Sequence, residues 1–361
     1  MSSIPVVKHH ANPIIRVSDV RPSAPELKVD CVFNPAATAY RDQVVLLVRV
    51  AESPRDNDPL RPSVVYLVGD ELVVEALDRP ELEARGWDFS DSRSVRAPGP
   101  KGYLVAKYLT SISHLRLARS TDGVHFEVDD EPFIAPTGEY ESWGCEDPRI
   151  TLVGDRYMIN YSSVSPRGIC TTLVSTTDFE SVERHGVMFA PENRNVGIFS
   201  EKVHGMYYAV NRPAPQMFGE PAIWLAESPN LVHWGNQRFL MGTSDSGWES
   251  GRVGAAFPPI RTAEGWLFVY HAADPDNRYC LGAMLLDSDR PWLIKAKLAE
   301  PILEPTEPYE TDGFFSNVVF SCGAVVTGDT LHIYYGVADT EIALADLSVG
   351  VLVAALLAES R

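Results

Sequence analysis

The stretch Trp143–Ile150 places two carboxylates and a guanidinium within four residues, just ahead of an apolar run. Pro148 fixes its own φ and disfavours helical geometry in the residue before it, so the stretch predicts an extended Asp147 at the start of a strand. Successive strand residues point to opposite faces. We therefore expect Asp147 to face a pocket and Glu146 to play a supporting role beside a cation. The alternative is structural, an ion pair between Asp147 and Arg149 that holds the strand entrance.

A carboxylic acid among several cations suits acid-assisted cleavage with an anion as second reactant. Inverting hydrolysis needs a second carboxylate to activate water, roughly 6.5–9.5 Å from the acid. In phosphorolysis the nucleophile is already an anion, so one acid suffices and arginines bind the phosphate. The abundance of arginine near the predicted site favours phosphate. The sequence has no GxSxG, phosphate-loop, HExxH or EF-hand spacing, so we predict no metal and no cofactor, with inorganic phosphate as co-substrate.

Recurring hairpins predict how these residues are positioned. Short turns separate pairs of β-rich runs, and they lie at Arg41–Asp42, Gly154–Asp155, His204–Gly205, Glu264–Gly265 and Gly328–Asp329. A second phrase of the type Leu-Ala-Arg-Ser-Thr-Asp ends at Asp122, Asp178 and Asn230, with a looser copy ending at Asp287. The copies recur about every 50 to 60 residues, which is the period of a β-propeller blade.

We therefore predict an all-β fold, a single five-bladed β-propeller domain over residues 1–361 with short terminal extensions. The blades are entered near Asn34, Asp147, Asn195, Gly254 and Asn317. Innermost strands surround the axis of a propeller, so equivalent positions converge at one mouth. The strands after the turns end in Arg49, Ser162, Arg212, His271 and Tyr335. Each of these has a structural reading, such as an arginine paired with a carboxylate, but their recurrence at equivalent positions favours a shared site.

Other segments are assigned to the periphery. Tyr66–Val74 is an insertion or an outer strand, Pro80–Gly86 is helical, and the apolar Leu347–Ala358 is a closing strand or helix, too short to span a bilayer. Glu52–Pro62 and Gly86–Gly102 are predicted to be rim loops at the mouth of the propeller.

The composition of the chain limits the kinds of molecule that it can bind. The chain has 361 residues, 45% of them hydrophobic, and a formal charge of −18, which argues against nucleic acid or an anionic membrane and suits a neutral or small anionic substrate. Five widely spaced cysteines and the lack of an apolar segment after the first charges predict neither a disulfide framework nor a secretory signal. We expect a cytoplasmic protein.

Over about Asn12 to Ala345, the chain resembles glycoside hydrolase family 130, which contains β-mannoside phosphorylases and hydrolytic relatives. The motifs that carry the resemblance are Phe33–Ala36, Leu47–Glu52, Cys145–Ile150, Phe199–Lys202, Asn211–Pro213, Arg252–Pro259, Tyr270–His271, Tyr279–Ala283, Glu304–Tyr309, Asn317–Phe320 and Tyr334–Asp339. The resemblance implies a five-bladed propeller. Members are often homo-oligomers, although no feature of this sequence requires one.

The resemblance also implies roles. Asp147 matches the family's general acid, and Asn34, Arg49 and Asp339 match positions that bind the mannosyl unit. Positions at or near the phosphate site are Arg194, Arg212, Arg252, His271 and Tyr279. Arg252 stands where lysine is usual, Asn211 replaces a common histidine, and the segment around Arg194 departs from the commonest form.

Because most of the cationic set is present, the resemblance implies inverting phosphorolysis of a β-1,2- or β-1,4-linked mannosyl disaccharide or oligosaccharide, giving α-mannose 1-phosphate. Two alternatives remain. One is an inverting β-mannosidase, in which Glu249 would serve as base rather than as a solvated loop residue. The other is a sugar-binding propeller without catalysis.

Overall fold

The computed structural model describes residues 4–99, 102–215 and 218–359. Strands hold 52% of the residues and helices 7%, so the predicted predominance of β-structure is confirmed. In chain order, the strands are β1 (Val7–Lys8), β2 (Leu27–Tyr40), β3 (Gln43–Pro54), β4 (Ser63–Val68), β5 (Glu71–Ala76), β6 (Ser94–Pro98), β7 (Leu104–Leu109), β8 (Ile112–Ser120), β9 (Glu127–Val128), β10 (Gly144–Val153), β11 (Arg156–Ser165), β12 (Gly168–Thr176), β13 (Glu183–Phe189), β14 (Asn193–Ile198), β15 (Tyr207–Pro213), β16 (Ile223–Ser228), β17 (Gly235–Met241), β18 (Arg252–Ala255), β19 (Ile260–Arg261), β20 (Trp266–Ala273), β21 (Tyr279–Leu286), β22 (Ile294–Lys297), β23 (Val319–Thr327), β24 (Thr330–Val337) and β25 (Glu341–Ser348). The helices are α1 (Arg79–Ala84), α2 (Pro308–Thr311) and α3 (Val349–Glu359), with a 3-10 turn at Val17–Asp19.

The main strands pair antiparallel in groups that follow chain order. The groups are β2-β3-β8-β9, β10-β11-β12-β13, β14-β15-β16-β17, β18-β20-β21-β22 and β23-β24-β25-β1. A parallel bridge between Gly144 and Ser113 joins the first two groups into one eight-stranded sheet. In the last group, Val7 of β1 pairs with Asp346 of β25. The two ends of the described chain therefore meet in one sheet.

The repeated phrase of the sequence has a local physical cause. Each copy ends the third strand of a group, and its last side chain accepts backbone N–H bonds from the residues two and three positions further on. The acceptors are Asp122, Asp178, Asn230 and Asp287, at distances of 2.8 to 3.2 Å. Only a short side chain with an oxygen at this position can cap such a turn. The phrase therefore marks the turn into the fourth strand.

Apolar clusters fill the spaces between the groups. One cluster packs Leu47 of the first group against Ile159 of the second, and corresponding clusters join the second to the third, the third to the fourth and the fourth to the fifth. A further cluster packs Val48 of the first group against Tyr334 of the fifth. Each group therefore buries residues against both of its neighbours, and the first and last groups are themselves neighbours.

Residues 55–111 interrupt the first group between β3 and β8, which pair directly. They form the hairpins β4-β5 and β6-β7 and the helix α1, whose N-cap Asp78 accepts a bond from the Glu81 N–H at 3.1 Å. The insertion predicted at Tyr66–Val74 is confirmed, and the helix predicted at Pro80–Gly86 is present as α1 over Arg79–Ala84. Pro100 and Lys101, in the second predicted rim loop, lie outside the described residues. In the described part of the chain, no helix has the length and apolar character needed to cross a membrane.

Candidate active site

A cavity of about 720 Å³ gathers most of the predicted site residues. Its lining includes Asp147, Asn34, Arg49, Asp339, Arg194, Arg212, Arg252 and Tyr279. His271 is not part of the described lining. Its Nε2 lies 3.1 Å from Nδ2 of Asn195, which does line the cavity. The convergence expected from equivalent repeat positions is therefore observed for Asn34, Arg49, Asp147, Asn195 and Arg212, with His271 behind the surface. The expectation is wrong for Ser162, Asn317 and Tyr335, which are absent from the described lining; the Tyr335 hydroxyl donates to Glu310 at 2.9 Å instead.

The first strands of three groups carry the same backbone irregularity at the cavity. Asn34, Asp147 and Asn195 have φ values of 48°, 48° and 55°, and the strand pairing shifts register at each of them. Asparagine and aspartate are the non-glycine residues that best tolerate this left-handed conformation. The prediction of an extended Asp147 is wrong, because the bulge overrides the preference set by Pro148.

The bulge turns two consecutive carboxylates into the same cavity. Arg49 bridges them, with Nη1 3.0 Å from Oδ1 of Asp147 and Nη2 2.7 Å from Oε1 of Glu146. Its Nε donates to Oγ of Ser113 at 3.1 Å. The prediction that strand alternation keeps Glu146 out of the pocket is therefore wrong, although its expected cation partner is present. Asn34 Nδ2 also donates to Asp147 Oδ1, at 3.0 Å.

Arg149 holds the backbone of the bulge. It is 1% exposed, and its guanidinium donates to the carbonyl oxygens of Asp147, Ala255 and Ala256 at 2.8, 2.8 and 2.9 Å. The proposed structural ion pair with the Asp147 carboxylate is replaced by these main-chain contacts. Arg149 therefore fixes Asp147 and the neighbouring strand β18 in relation to each other.

Electrostatics separates the two aspartates of the cavity. Burial raises the pKa of Asp147, but Arg49, Arg149 and the Asn34 hydrogen bond outweigh burial, so its pKa is lowered. Burial raises the pKa of Asp339 to about 6, with Asp147 and Glu146 adding to the effect and Arg49 and Arg93 opposing it. Without a ligand, Asp147 is ionised and Asp339 titrates near neutral pH. Environments that push two carboxyl groups apart in this way are typical of catalytic sites.

A group of cations lines another part of the cavity. Arg252 donates to the Tyr279 hydroxyl at 3.1 Å and to Oδ1 of Asn277 at 2.6 Å. Arg212 is 6% exposed, and among the described residues its guanidinium makes no hydrogen bond, with Nε buried and unpaired. Burial, then Arg194, Arg252 and Arg149, lower its pKa to about 9, against a smaller opposing effect of Tyr279. A bound anion would stabilise a buried, unpartnered guanidinium that lies among other cations.

His271 is held in its neutral form. It is fully buried, and burial followed by Arg212, Arg149 and Arg252 lowers its pKa well below the ordinary value. Since Asn195 Nδ2 can only donate, Nε2 accepts and the proton is on Nδ1. His271 therefore adds no charge to the cation group.

Glu249, the candidate base of a hydrolase, is engaged elsewhere. It is 7% exposed, it accepts bonds from Lys297 Nζ at 2.6 and 2.9 Å and from the Tyr270 hydroxyl, and it is absent from the described cavity lining. Its reading as a solvated loop residue is also wrong. Glu249 is a buried structural carboxylate.

The profile of glycoside hydrolase family 130, described as beta-1,4-mannooligosaccharide phosphorylase, matches residues 102–356. The chain therefore belongs to this family, as its motifs indicated.

Several mannoside phosphorylases are similar to this chain in sequence or structure. The chain is 43% identical over 360 residues to the beta-1,2-mannobiose phosphorylase of Listeria innocua, with 99% of each chain covered. It is 40% identical over 247 residues to the 1,2-beta-oligomannan phosphorylase of Thermoanaerobacter sp., covering 67% of this chain and 81% of that protein. The solved structure of the Listeria innocua enzyme in complex with beta-1,2-mannobiose has a TM-score of 0.94 and 42% identity, covering 99% of this chain and 100% of the other.

Proposed function

We propose that this protein is an inverting β-mannoside phosphorylase that cleaves a β-1,2-linked mannobiose or a short oligosaccharide of the same linkage and releases α-mannose 1-phosphate. The observation that carries the proposal is Arg212, a buried guanidinium without a hydrogen bond among the described residues, in the same cavity as Asp147. The linkage is favoured by the 43% identity over the whole chain to a β-1,2-mannobiose phosphorylase.

The fold that we propose is a single five-bladed β-propeller domain over residues 1–361. The five antiparallel groups support it, and so do the apolar clusters that join each group to the next and the fifth to the first. The five cysteines are free, which suits the proposed reduced, cytoplasmic location.

The mannosyl unit is proposed to bind at the carboxylate end of the cavity. Asn34, Arg49 and Asp339 offer donors and acceptors around Asp147, and a neutral sugar can replace the hydrogen bonds that water makes there. Glu146 adds an acceptor fixed by Arg49. This combination orients a sugar ring through its hydroxyl groups.

Phosphate is proposed to bind to Arg194, Arg212, Arg252 and Tyr279. Arginine pairs with phosphate oxygens through two parallel bonds, and a dianion relieves the mutual repulsion of the cations. His271 acts as a positioning residue behind them, because its neutral ring contacts Asn195 rather than the cavity. With phosphate on one face of the anomeric carbon, attack in line with the leaving oxygen inverts the β-configuration to α.

Asp147 is proposed as the general acid, donating its proton towards the leaving oxygen, directly or through a sugar hydroxyl. In the absence of ligands its pKa is lowered, so the acid must gain its proton as the site fills. Phosphate supplies negative charge that offsets the surrounding arginines, and a nearby like charge raises the pKa of a carboxyl group. The proton that phosphate loses on becoming the ester restores the acid.

The test is cleavage of β-1,2-mannobiose with and without inorganic phosphate, with β-1,4-mannobiose as the linkage control. We expect cleavage only with phosphate and faster cleavage of the β-1,2 linkage. Equal cleavage without phosphate would identify a β-mannosidase, and no cleavage of any mannoside would favour a binding protein.

A further inference from the structure

The mouth of the cavity is formed by two segments from distant parts of the chain. The insertion 55–111 contributes Asp91 and Arg93, and the loop after α2 contributes Phe314 and Phe315. The two segments meet where the Arg93 guanidinium carbon lies 4.9 Å from the centre of the Phe315 ring. We infer that Arg93 is a specificity-determining residue that binds the leaving sugar, the acceptor in the reverse reaction. This inference rests on the proposed phosphorylase function.

Arg93 is held in place before any ligand binds. Asp91 Oδ1 accepts bonds from the backbone N–H of Arg93 at 2.9 Å and from its Nε at 3.1 Å, and Oδ2 accepts from Nη2 at 3.2 Å. Within the described part of the chain, Nη1 makes no hydrogen bond, and the side chain is 53% exposed. The flat face of the guanidinium is covered by Phe315, so Nη1 is a pre-oriented donor at the cavity mouth.

Charge distinguishes Arg93 from Arg212 and Arg252, whereas Arg194, the third arginine proposed to hold phosphate, itself lies 3.9 Å from Oε2 of Glu192. The hydrogen bond that Arg93 donates to Asp91 is the main cause that raises the pKa of Arg93, and it is also the main cause that lowers the pKa of Asp91. The pair is therefore ionised and formally neutral, whereas Arg212 forms no ion pair with a carboxylate of the described residues. A compensated guanidinium suits the hydroxyl groups of a neutral sugar, while an uncompensated one suits phosphate.

The stereochemistry of inversion requires two separate sites. The nucleophile and the leaving sugar must lie on opposite faces of the anomeric carbon, so the residues that bind phosphate cannot also bind the leaving sugar. Arg93 lines the same cavity as Asp339 and Tyr279. It therefore belongs to the site, although it is part of the insertion.

The surroundings of Arg93 have the character of a sugar site. Phe314 is 44% exposed at the mouth, and carbohydrate sites combine aromatic surfaces with a few placed polar groups. A smaller cavity of about 220 Å³ lies behind this wall and shares Asn57, Asp91, Ser92 and Thr110 with the main one. The two cavities are therefore adjacent at Asp91, on the side of the insertion.

The reverse reaction separates the two sites, because α-mannose 1-phosphate and the acceptor mannose are varied independently. For Arg93→Ala we expect the KM for the acceptor to rise about 10- to 100-fold, the range of a lost hydrogen bond to a charged group. The KM for α-mannose 1-phosphate, and for phosphate in the forward reaction, should change less than about two-fold. The matched control is Arg96→Ala. Arg96 follows in β6, pairs with Asp88 at 2.6 Å and is absent from the described lining.

A second variant, Phe315→Leu, keeps an apolar side chain but removes the stacking surface, and it should raise the acceptor KM in the same direction. An unchanged acceptor KM in Arg93→Ala would overturn the inference, and so would a rise in the KM for α-mannose 1-phosphate of the same size, which would assign Arg93 to the phosphate site. Inactivity of the unaltered protein in both directions would instead refute the proposed function.

Discussion

Two buried arginines at the centre of the molecule should respond in opposite ways to the same substitution. Arg149 is 1% exposed and donates to three carbonyl oxygens. Arg212 is 6% exposed, and its guanidinium makes no hydrogen bond with the described residues. Replacing each with methionine keeps much of the side-chain volume and removes the charge. We expect Arg149→Met to lower the free energy of unfolding and Arg212→Met to raise it.

The magnitudes follow from the partners of each side chain. Lowering the Arg212 pKa from the ordinary value of arginine to about 9 corresponds to on the order of 4–5 kcal/mol against the charged form, at about 1.4 kcal/mol per pKa unit. Some of this is recovered through water, so we expect Arg212→Met to be more stable by about 1–4 kcal/mol, the range for replacing buried charge with apolar groups. Arg149→Met leaves three carbonyl oxygens without their donor and should be less stable by about 3–5 kcal/mol.

The assay is urea unfolding at pH 7 with and without inorganic phosphate. Phosphate at ten times its dissociation constant should stabilise the unaltered protein by about 1.4 kcal/mol, and Arg212→Met should lose most of this response together with its activity. Destabilisation by Arg212→Met, or full protection of that variant by phosphate, would refute the assignment of Arg212 to an anion site. If Arg212→Met is more stable than the unaltered protein but inactive, the buried charge of Arg212 is kept for function at the expense of stability.

Three further outcomes test other parts of the site. Asp147→Asn should lower kcat for phosphorolysis by on the order of 10²–10⁴-fold. Its free energy of unfolding should change only by the contribution of the lost ion pair with Arg49. Retention of more than a tenth of kcat would exclude general acid catalysis by this residue. Glu249→Gln should keep kcat within a few-fold, because the residue lies outside the described cavity lining, although it should lose stability; a loss of activity comparable to that of Asp147→Asn would contradict this. The pKa of Asp339 in the folded state is raised to about 6. Between roughly pH 4 and 6 the folded state therefore binds more protons than the unfolded state. The contribution of this group to the free energy of unfolding falls as pH rises through that window. Asp339→Asn should therefore gain stability over the unaltered protein above pH 6 and show no gain below pH 4, as measured by urea unfolding across this range.

Much of the architecture was predictable because its causes are local. The turn acceptors such as Asp122 and Asp178 act on N–H groups two and three residues away, so the repeat is visible in the sequence itself. The gathering of Asn34, Asp147 and Asn195 was predictable from the same period.

The backbone of the bulge was not predictable, because it depends on contacts between groups. Pro148 favours an extended Asp147, but Arg149 reaches Ala255 and Ala256 of another group and fixes a different geometry. Strand alternation then fails at this position, and Glu146 enters the cavity. A single-sequence pattern contains no signal for such a contact.

The sequence predicted where the insertion lies but not which residues of the cavity it contacts. Its position as a rim loop follows from its turn-rich composition, but the contact between Arg93 and Phe315 joins residues more than 200 positions apart. Glu249 was misjudged for a similar reason, because Lys297 and Tyr270 come from other strands.

The most direct test of the central claim is the stoichiometry of the reaction, followed by phosphorus and proton NMR with β-1,2-mannobiose as substrate. The account predicts that one phosphate is consumed for each linkage cleaved and that α-mannose 1-phosphate appears with one free mannose. Two free mannose molecules per linkage, with phosphate left unchanged, would contradict it.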